Sequence, residues 1–241
     1  MINSVRNTVL AILNKNNYGY ISPSDFNLFS KQAQMDIFED YFTQYNYYVN
    51  KENARQSGTG YADVKKGIEE VIDFFSREDD LTHDTANKFF LPSATTTGFD
   101  YYFINKVLVV GTGTVEAENV SNKNITMLTN SNLTGPSTLF PAYNQSGNSA
   151  LLYPTSIDTQ GEVKCQYIRY PKDPKWTYVS LSGGEPSFDQ SQADFQDFEL
   201  PSEDERALVY KILQYAGMSI REIQAVQFAQ AEEQIESNEL K

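Results

Sequence analysis

The chain has 241 residues, a formal net charge of −13 and a single cysteine. Its length allows a sizeable core, in one large domain or in two small ones. Its 32 acidic against 19 basic side chains exclude a nucleic-acid clamp that works by neutralising phosphates, and one cysteine excludes an intrachain disulfide.

The apolar runs are short throughout the sequence. None approaches the ~18 residues that are needed to cross a bilayer. The beginning, MINSVRNTVLAIL, has one Arg and helical spacing, which does not fit a secretory signal. We therefore expect no membrane span, a mature N-terminus and synthesis in a reducing compartment such as the cytosol.

Helices are predicted for the first third of the chain. Val5, Val9, Ile12 and Leu13 have the spacing of a short amphipathic helix. The stretch SPSDF begins a second helix, predicted over Pro23–Val49, because the serine before the proline can cap it and an aspartate follows three residues later. After a polar loop, YADVKKGIEEVIDFFSRE returns to helical spacing and predicts a third helix.

The second half of the predicted second helix is rich in aromatic residues. FEDYFTQYNYY, residues 38–48, has six rings in eleven positions. Five of them recur at intervals of three and four and share one face, which we call the aromatic face: Phe38, Tyr41, Phe42, Tyr45 and Tyr48. Two interpretations are open. The face is either a core stripe with its hydroxyls at the edge, or a surface shared between subunits, where tyrosine is enriched.

From about residue 85 the periodicity changes to two, which predicts strands. FDYYFINKVLVVGTGTV predicts two or three strands with a turn at Asn105 and Lys106. EVKCQYIRYP predicts another strand, and KWTYVSL is expected to return beside it as a hairpin. Residues 119–150, rich in Asn, Ser and Thr, are predicted as exposed loops and edge strands.

Helical patterns return at the C-terminal end. LPSEDERALVYKILQYAG predicts a helix that is capped by Ser202 and ended by Gly217, and SIREIQAVQFAQAEEQIE predicts a last helix. The last helix has few large apolar residues, which is typical of a helix that lies on a partner. From Glu185 to Glu205 the chain has eight carboxylates and no Lys or Arg. The simplest interpretation of this acidic stretch is a solvated surface.

These elements predict an α+β fold, in which the N-terminal and C-terminal helices pack together as a helical bundle around an inserted antiparallel β domain. The predicted divisions are an N-terminal helical part at residues 1–80, a β domain with Asn/Ser/Thr-rich loops at 81–200, and C-terminal helices at 201–241 that complete the helical part. No internal repeat is evident.

Motifs for catalysis or metal binding are absent from the sequence. His83 and Cys165 are the one histidine and the one cysteine, and they fall in different predicted elements, so a pair of nucleophile and base is not expected. REDDLTHDTAN lacks the spacing of an EF-hand, and GTGTV lacks the third glycine of a dinucleotide fingerprint. We expect no catalytic residue, no cofactor and no metal. A pair of carboxylates that hydrolyses a polysaccharide stays open, because any acidic protein offers candidates.

The two ends of the chain resemble a known family. RNTVLAILNKNNYGYISPSDFNLFSKQAQMDIFEDYF near the start and FELPSEDERALVYKILQYAGMSIREIQAVQFAQAEEQ near the end are similar to the neck ring proteins of crAss-like tailed bacteriophages. The resemblance is clearest over residues 1–50 and 195–236, and QYIRYPKDPKW in the middle adds support. It carries no catalytic signature.

The resemblance implies a structural protein of the virion, made in the cytoplasm of a bacterial host. Such proteins stack below the portal as dodecameric rings and continue the DNA channel towards the tail. The implied partners are other copies of the chain, the portal, and other ring proteins of the neck or tail. DNA passes through without specific binding, and no membrane is involved.

In such a ring, three groups of residues receive roles. The aromatic face is the expected subunit interface, because a ring needs apolar contact between copies. A group of carboxylates is expected to face the channel, where it would repel passing phosphates: Glu203, Asp204 and Glu205. Apolar residues of the last helix are expected to contact a neighbouring ring or the portal: Ile223, Val226 and Phe228.

Two other classes of protein stay open. A virion-associated adhesin or fibre-attachment module would bind carbohydrate or protein through its β domain and its Asn/Ser/Thr-rich loops. An acidic hydrolase would use a pair of carboxylates. Capped helices at both ends favour the connector ring over the adhesin, since fibres and adhesins are usually dominated by strands.

Overall fold

The computed structural model describes residues 1–13, 21–53, 62–111, 113–220 and 230–231. Its helices are α1 (Ile2–Leu13), α2 (Pro23–Asn53), α3 (Ala62–Phe74), α4 (Asn122–Thr129) and α5 (Glu205–Ile220), and a 3₁₀ turn, Ser202–Asp204, precedes α5. Its strands are β1 (Ser76–Asp80), β2 (Thr82–His83), β3 (Lys88–Phe90), β4 (Tyr101–Val110), β5 (Thr114–Asn119), β6 (Ala142–Ser146), β7 (Ser149–Tyr153), β8 (Val163–Arg169), β9 (Tyr178–Ser180) and β10 (Pro186–Phe188).

The chain forms two compact units. The first, which we call the helical unit, consists of Met1–Glu69 together with Pro171–Lys241. The second, the sheet unit, consists of Glu70–Tyr170. The divisions expected from the sequence were at residues 80 and 200, whereas β1 lies in the sheet unit and residues 171–200 lie in the helical unit.

In the helical unit, α5 packs against both α1 and α2. The α1 helix buries Val5, Val9 and Leu13, which are spaced by four residues and therefore share one face. The α2 helix begins with the predicted cap: Ser22 Oγ accepts a hydrogen bond from the Asp25 amide at 3.1 Å and donates one to its carboxylate at 2.7 Å. The predicted helices at the start of the chain are thus confirmed, although α2 continues to Asn53.

An extended segment, residues 171–200, completes the core of the helical unit. Its Trp176 is buried and stacks on Tyr178 and Phe188, with ring centroids 5.6 and 6.0 Å apart. The Asn27 side chain binds both polar groups of the Trp176 backbone. It accepts a hydrogen bond from the amide at 2.8 Å and donates one to the carbonyl at 3.2 Å. This pair of hydrogen bonds attaches the extended segment to α2.

The sheet unit is built on eight strands in the order β1-β8-β4-β5-β6-β7-β3-β2. The strands pair in antiparallel fashion except for β5 and β6, which are parallel. Only Leu81 separates β1 from β2, the two ends of this order, so the sheet is nearly closed. Its inward-facing side chains form one core: Leu81, Phe89, Leu91, Val107, Val109, Ala117, Tyr143, Ala150, Leu152, Ile157, Val163, Cys165 and Tyr167.

The predicted fold class is wrong in its arrangement. The chain is α+β, but its helices do not form a bundle around an inserted antiparallel β domain. The sheet is mixed, because β5 runs parallel to β6. The core of the helical unit is also not purely helical, since Trp176, Phe198 and Leu200 of the extended segment are buried in it. Periodicity predicts helices, but distant residues decide what covers their apolar faces.

Two predicted connections between strands are also wrong. Asn105 and Lys106 do not form a turn, because β4 runs through them with a shift of register against β8 between Ile104 and Lys106. Asn105 thus lies at an irregularity in the register of a continuous strand. KWTYVSL does not return beside EVKCQYIRYP, because its strand β9 pairs with β10 in the helical unit.

Element bounds differ from the prediction in three further places. The third helix ends at Phe74, and the next residues form β1 because β8 offers them a partner strand. The α5 helix continues through the buried Gly217 to Ile220, so packing outweighs the cost of a glycine in a helix, about 1 kcal/mol. Residues 119–150 contain α4, the strand β6 and the start of β7, and both strands lie in the interior of the sheet order.

We expect Trp176→Ala to destabilise the helical unit by about 3–5 kcal/mol, the usual cost of removing a large buried aromatic side chain. Urea unfolding followed by circular dichroism measures the change, since Trp176 is the one tryptophan and its fluorescence is lost with it. The control is Leu28→Ala at an exposed position, with a change below about 0.5 kcal/mol. Similar losses in both variants would contradict the central position of Trp176.

Candidate assembly surfaces

The aromatic face of α2 packs largely within the chain. Phe38 and Tyr48 are buried, whereas Tyr41, Phe42 and Tyr45 are half-buried. The rings of Phe38 and Phe42 meet edge to face with their centroids 5.0 Å apart. The core-stripe interpretation therefore describes Phe38 and Tyr48. A subunit interface on this face stays a prediction, and it depends on the three half-buried rings.

Carboxylates of the same chain accept hydrogen bonds from tyrosine hydroxyls around α2. These bonds join α2 to α3 and to the region of α5: Tyr41 donates to Asp204, Tyr45 to Glu69 at 3.1 Å, and Tyr215 to Asp36 at 2.5 Å. A hydrogen bond to a charged group contributes about 1.5–3 kcal/mol. Tyr41 and Tyr45 of the aromatic face thus have polar partners inside the helical unit, which allows their rings to pack partly away from water.

The three carboxylates that were expected to face a channel have different surroundings. Glu203 is exposed, whereas Asp204 and Glu205 are half-buried. Burial raises the pKa of Asp204, the hydrogen bond from Tyr41 lowers it and the charge of Glu203 raises it, and the net shift is upward. Asp204 is therefore engaged within the chain. The orientation of these carboxylates towards a channel stays a prediction.

The expected contacts of the last helix cannot be placed. Ile223, Val226 and Phe228 lie outside the described residues. Their contact with a neighbouring ring or with the portal stays a prediction.

The one cysteine and the one histidine have separate, ordinary surroundings. Cys165 is buried in β8, and burial raises the pKa of its thiol to about 12, so the thiol is protonated at neutral pH and is a poor nucleophile. His83 Nε2 lies 2.7 Å from the Ala86 carbonyl oxygen, and its ring packs edge to face on Phe89. Among the described residues, no cluster of three or more His, Cys, Asp or Glu side chains is arranged to hold a metal ion.

Membrane-spanning helices were not expected from the sequence. Within the described ranges, every helix is too short or too polar to cross a membrane.

Several large apolar side chains are exposed between β5 and β6. In this β5–β6 connection, residues 120–141, four large side chains are exposed: Met127 at 76%, Leu133 at 94%, Leu139 at 68% and Phe140 at 79%. Single exposed apolar residues are normal, but a group of this kind marks an interaction site. Burying four such side chains would contribute about 6 kcal/mol or more, enough to offset part of the cost of association.

Hydrogen bonds hold the β5–β6 connection in a definite shape. Asn122, at the start of α4, donates to the Gln145 carbonyl at 3.1 Å and accepts from the buried Asn144 side chain. Further along, Gly135 allows a close approach of the chain to itself, since a Cβ at this position would lie 2.7 Å from the Ser131 carbonyl oxygen. The exposed apolar side chains are thus presented by an ordered loop.

This connection belongs to a stretch without carboxylates. The sequence has no Asp or Glu between Glu118 and Asp158, and Lys123 is the one basic residue there, although the whole chain has 32 acidic side chains. Depletion of charge is typical of the core of a protein interface. The Asn, Ser and Thr content predicts only loops, whereas the missing charge is the sequence signal that indicates binding.

A second apolar surface lies on the β9–β10 hairpin of the helical unit. Tyr178 is opposite Phe188, and both rings stack on the buried Trp176. Because neighbouring residues of a strand point to opposite faces, Val179 lies on the other face of the hairpin. Val179 and Leu181 are both exposed, so this outer face is uncovered in the chain.

No family model and no curated protein matches the sequence. Function must therefore be inferred from the surfaces of the chain and from the resemblance of its two ends to neck ring proteins.

We expect Asp204→Asn to stabilise the folded chain at pH 7. The folded-state pKa of Asp204 lies above its ordinary value, so the protonated carboxyl favours the folded state. This contribution to stability is complete at pH values below the ordinary pKa, and it is lost as the pH rises through the folded-state pKa. The amide removes the buried charge, and its oxygen still accepts a hydrogen bond from Tyr41.

The measurement is the free energy of urea unfolding of the variant minus that of the wild type, at pH 7 and at pH 4. The difference should be positive at pH 7 and should shrink towards pH 4. Glu203→Gln, at an exposed position, is the control and should show little change with pH. Loss of stability in Asp204→Asn at pH 7 would mean that the bond from Tyr41 to the ionised carboxylate outweighs the cost of burial.

Proposed function

We propose that this chain is a structural subunit of a tailed-bacteriophage virion, which forms a ring in the neck, connects the portal to the tail and continues the DNA channel. The observation that carries the proposal is the group of exposed apolar side chains on the β5–β6 connection, a segment that has no carboxylate of its own. A surface of this kind is costly in a monomer and is covered in an assembly. The resemblance of residues 1–50 and 195–236 to neck ring proteins of crAss-like phages indicates which assembly.

The charge of the chain is compatible with a channel through which DNA moves. A net charge of −13 disfavours adhesion to phosphates. Within residues 185–205, carboxylates without any basic neighbour along the chain would repel the passing duplex if they face the channel. In this role the acidic stretch acts by preventing binding, so DNA slides through the ring.

An adhesin or fibre-attachment module is the second candidate. The observation that favours it is the sheet unit, whose eight strands present an Asn/Ser/Thr-rich connection with exposed side chains. Such a module would bind carbohydrate or protein through that connection. The helical unit, which comprises more than half of the chain, favours the ring, since adhesins are usually dominated by strands.

Native mass spectrometry and negative-stain imaging test the proposal on the full-length protein, alone and with the portal. Closed rings of about twelve copies, or stacks on the portal, are expected. Trimers or binding to glycans would support the adhesin instead, and a monomer that hydrolyses a polysaccharide would support the hydrolase. A portal of an unrelated phage is the control and should not retain the protein.

The role of the aromatic face is tested by replacing Tyr41 and Tyr45 together. The Ser variant removes the aromatic rings and their hydroxyls, whereas the matched Phe variant removes only the hydroxyls and their bonds to Asp204 and Glu69. If the face is a subunit interface, the Phe variant still assembles into closed oligomers and the Ser variant does not.

Folding of both variants is measured by urea unfolding, with an expected loss of about 1–3 kcal/mol for each missing bond. Assembly is measured by native mass spectrometry at the same protein concentration. If the Ser variant is no worse in assembly than the Phe variant, the half-buried rings serve only the fold of the single chain.

A further inference from the structure

The register of the β9–β10 hairpin defines its outer face. Val179 pairs with Ser187, and the Leu181 amide donates to the Glu185 carbonyl at 2.9 Å, which continues the register towards the turn. Opposite residues of an antiparallel pair project to the same face, and neighbours along a strand alternate between faces. These four side chains, all of them exposed, therefore share the outer face.

The inner face of the hairpin anchors it to the helical unit. Tyr178 and Phe188 are opposite each other, and both rings stack on the buried Trp176. The apolar side chains of the outer face, Val179 at 46% exposure and Leu181 at 54%, add little to this anchoring. The outer face can therefore be covered by another molecule without a change in the hairpin.

Two carboxylates lie at the ends of the outer face. Glu185 is opposite Leu181 at the turn, and the Asp189 amide donates to the Thr177 carbonyl at 3.0 Å, which keeps Asp189 in the same register at the other end. Hydrogen bonds from the Ser191 hydroxyl and amide, at 2.6 and 2.9 Å, lower the pKa of Asp189, so its carboxylate stays ionised. The two acidic residues are four apart along the chain, which is about 13 Å in a strand.

These two negative charges are not neutralised within the described part of the chain, where no Lys or Arg forms an ion pair with Glu185 or Asp189. Lys175 is the basic residue nearest to the hairpin in the sequence, and its ammonium group pairs with Asp194. Arg6 lies over the Trp176 ring, but it is buried. The outer face thus combines exposed apolar side chains with unpaired carboxylates.

This charge decides which kind of occupant fits the outer face. A second copy of the chain has a net charge of −13 and brings the same face with the same sign. Nucleic acid is disfavoured because its phosphates are negative. A protein segment that carries Arg or Lys beside apolar side chains fits both features, since its cations pair with the carboxylates while its apolar groups cover Val179 and Leu181.

We infer that the outer face of the β9–β10 hairpin docks a segment of a different protein, in which apolar side chains are flanked by arginine or lysine. The apolar side chains pack on Val179 and Leu181, and two cations about 13 Å apart pair with Glu185 and Asp189. The inference goes beyond the proposed ring, because the occupant is not a copy of this chain and the contact does not require a ring to close.

A rhodamine-labelled peptide, Arg-Thr-Leu-Thr-Arg, is the probe. In an extended conformation its leucine and both arginines share one side, with the arginines about 13 Å apart. Fluorescence anisotropy measures its binding to the full-length protein. Binding is expected at low salt and should weaken at high salt. Val179→Ser combined with Leu181→Ser should weaken it about tenfold, and Glu185→Gln about two- to fivefold.

Matched controls separate this face from the general charge of the protein. Glu203→Gln removes an exposed carboxylate elsewhere, and Leu28→Ser removes an exposed apolar side chain elsewhere, so both should bind the peptide as the wild type does. A peptide with glutamine in place of both arginines should bind about fivefold more weakly. The fluorescence of Trp176, which reports the stack beneath the hairpin, should be unchanged in the outer-face variants.

Several results would overturn the inference. They are the absence of binding at low salt, equal binding of the glutamine peptide, and equal losses in Glu185→Gln and Glu203→Gln, which would mean that the peptide follows net charge alone. Native mass spectrometry without peptide adds another test, because loss of the protein's own oligomers in the double Ser variant would assign this face to a second copy.

The results also separate this contact from the proposed ring. Closed rings without peptide binding would overturn the contact and leave the ring standing. Peptide binding that depends on the outer face, in a protein that forms no ring, would support the contact and contradict the ring.

Discussion

The helical unit depends on the need of its partly buried tyrosine hydroxyls for hydrogen-bond acceptors. Asp204, Glu69 and Asp36 meet this need by accepting from tyrosines across neighbouring elements. The sheet unit uses the same interaction, because the buried Tyr167 donates to Asp79 at 2.6 Å. Part of the acidic excess thus serves the interior of the protein, and many rings can be packed without leaving unpaired hydroxyls.

This use of carboxylates has a cost that is visible at Asp204. Burial raises its pKa against the opposing effect of the bond from Tyr41, so the charge is kept at the expense of stability near neutral pH. The proposed channel role explains why a carboxylate rather than an amide would be useful at this position. In the proposed ring, a residue that both accepts from Tyr41 and adds negative charge near Glu203 would link the fold of the helical unit to the repulsion of DNA.

The surfaces of the chain are divided by charge in a way that suits assembly. Acidic residues cluster at 185–205, while residues 119–157 have no carboxylate. A strongly negative protein that assembles with itself needs neutral, apolar contact surfaces, since repulsion acts between all other parts of its copies. Hydrogen bonds attach the start of the β5–β6 connection to β6, which lowers the conformational entropy that is lost when the connection is covered.

The sequence by itself determined the features that depend on neighbouring residues. The Ser22 cap, the buried face of α1 and the strand periodicity of β8 follow from local hydrogen bonds and from side-chain spacing, and the missing carboxylates of residues 119–157 can be counted directly. Tertiary structure decided the rest: the register shifts of β4 against β8, the parallel pairing of β5 with β6, and the partner of Tyr41, which is 163 residues away in the chain. The physical reason is that strand pairing and the satisfaction of buried polar groups are contacts between distant segments, and their energies are not encoded in any local pattern.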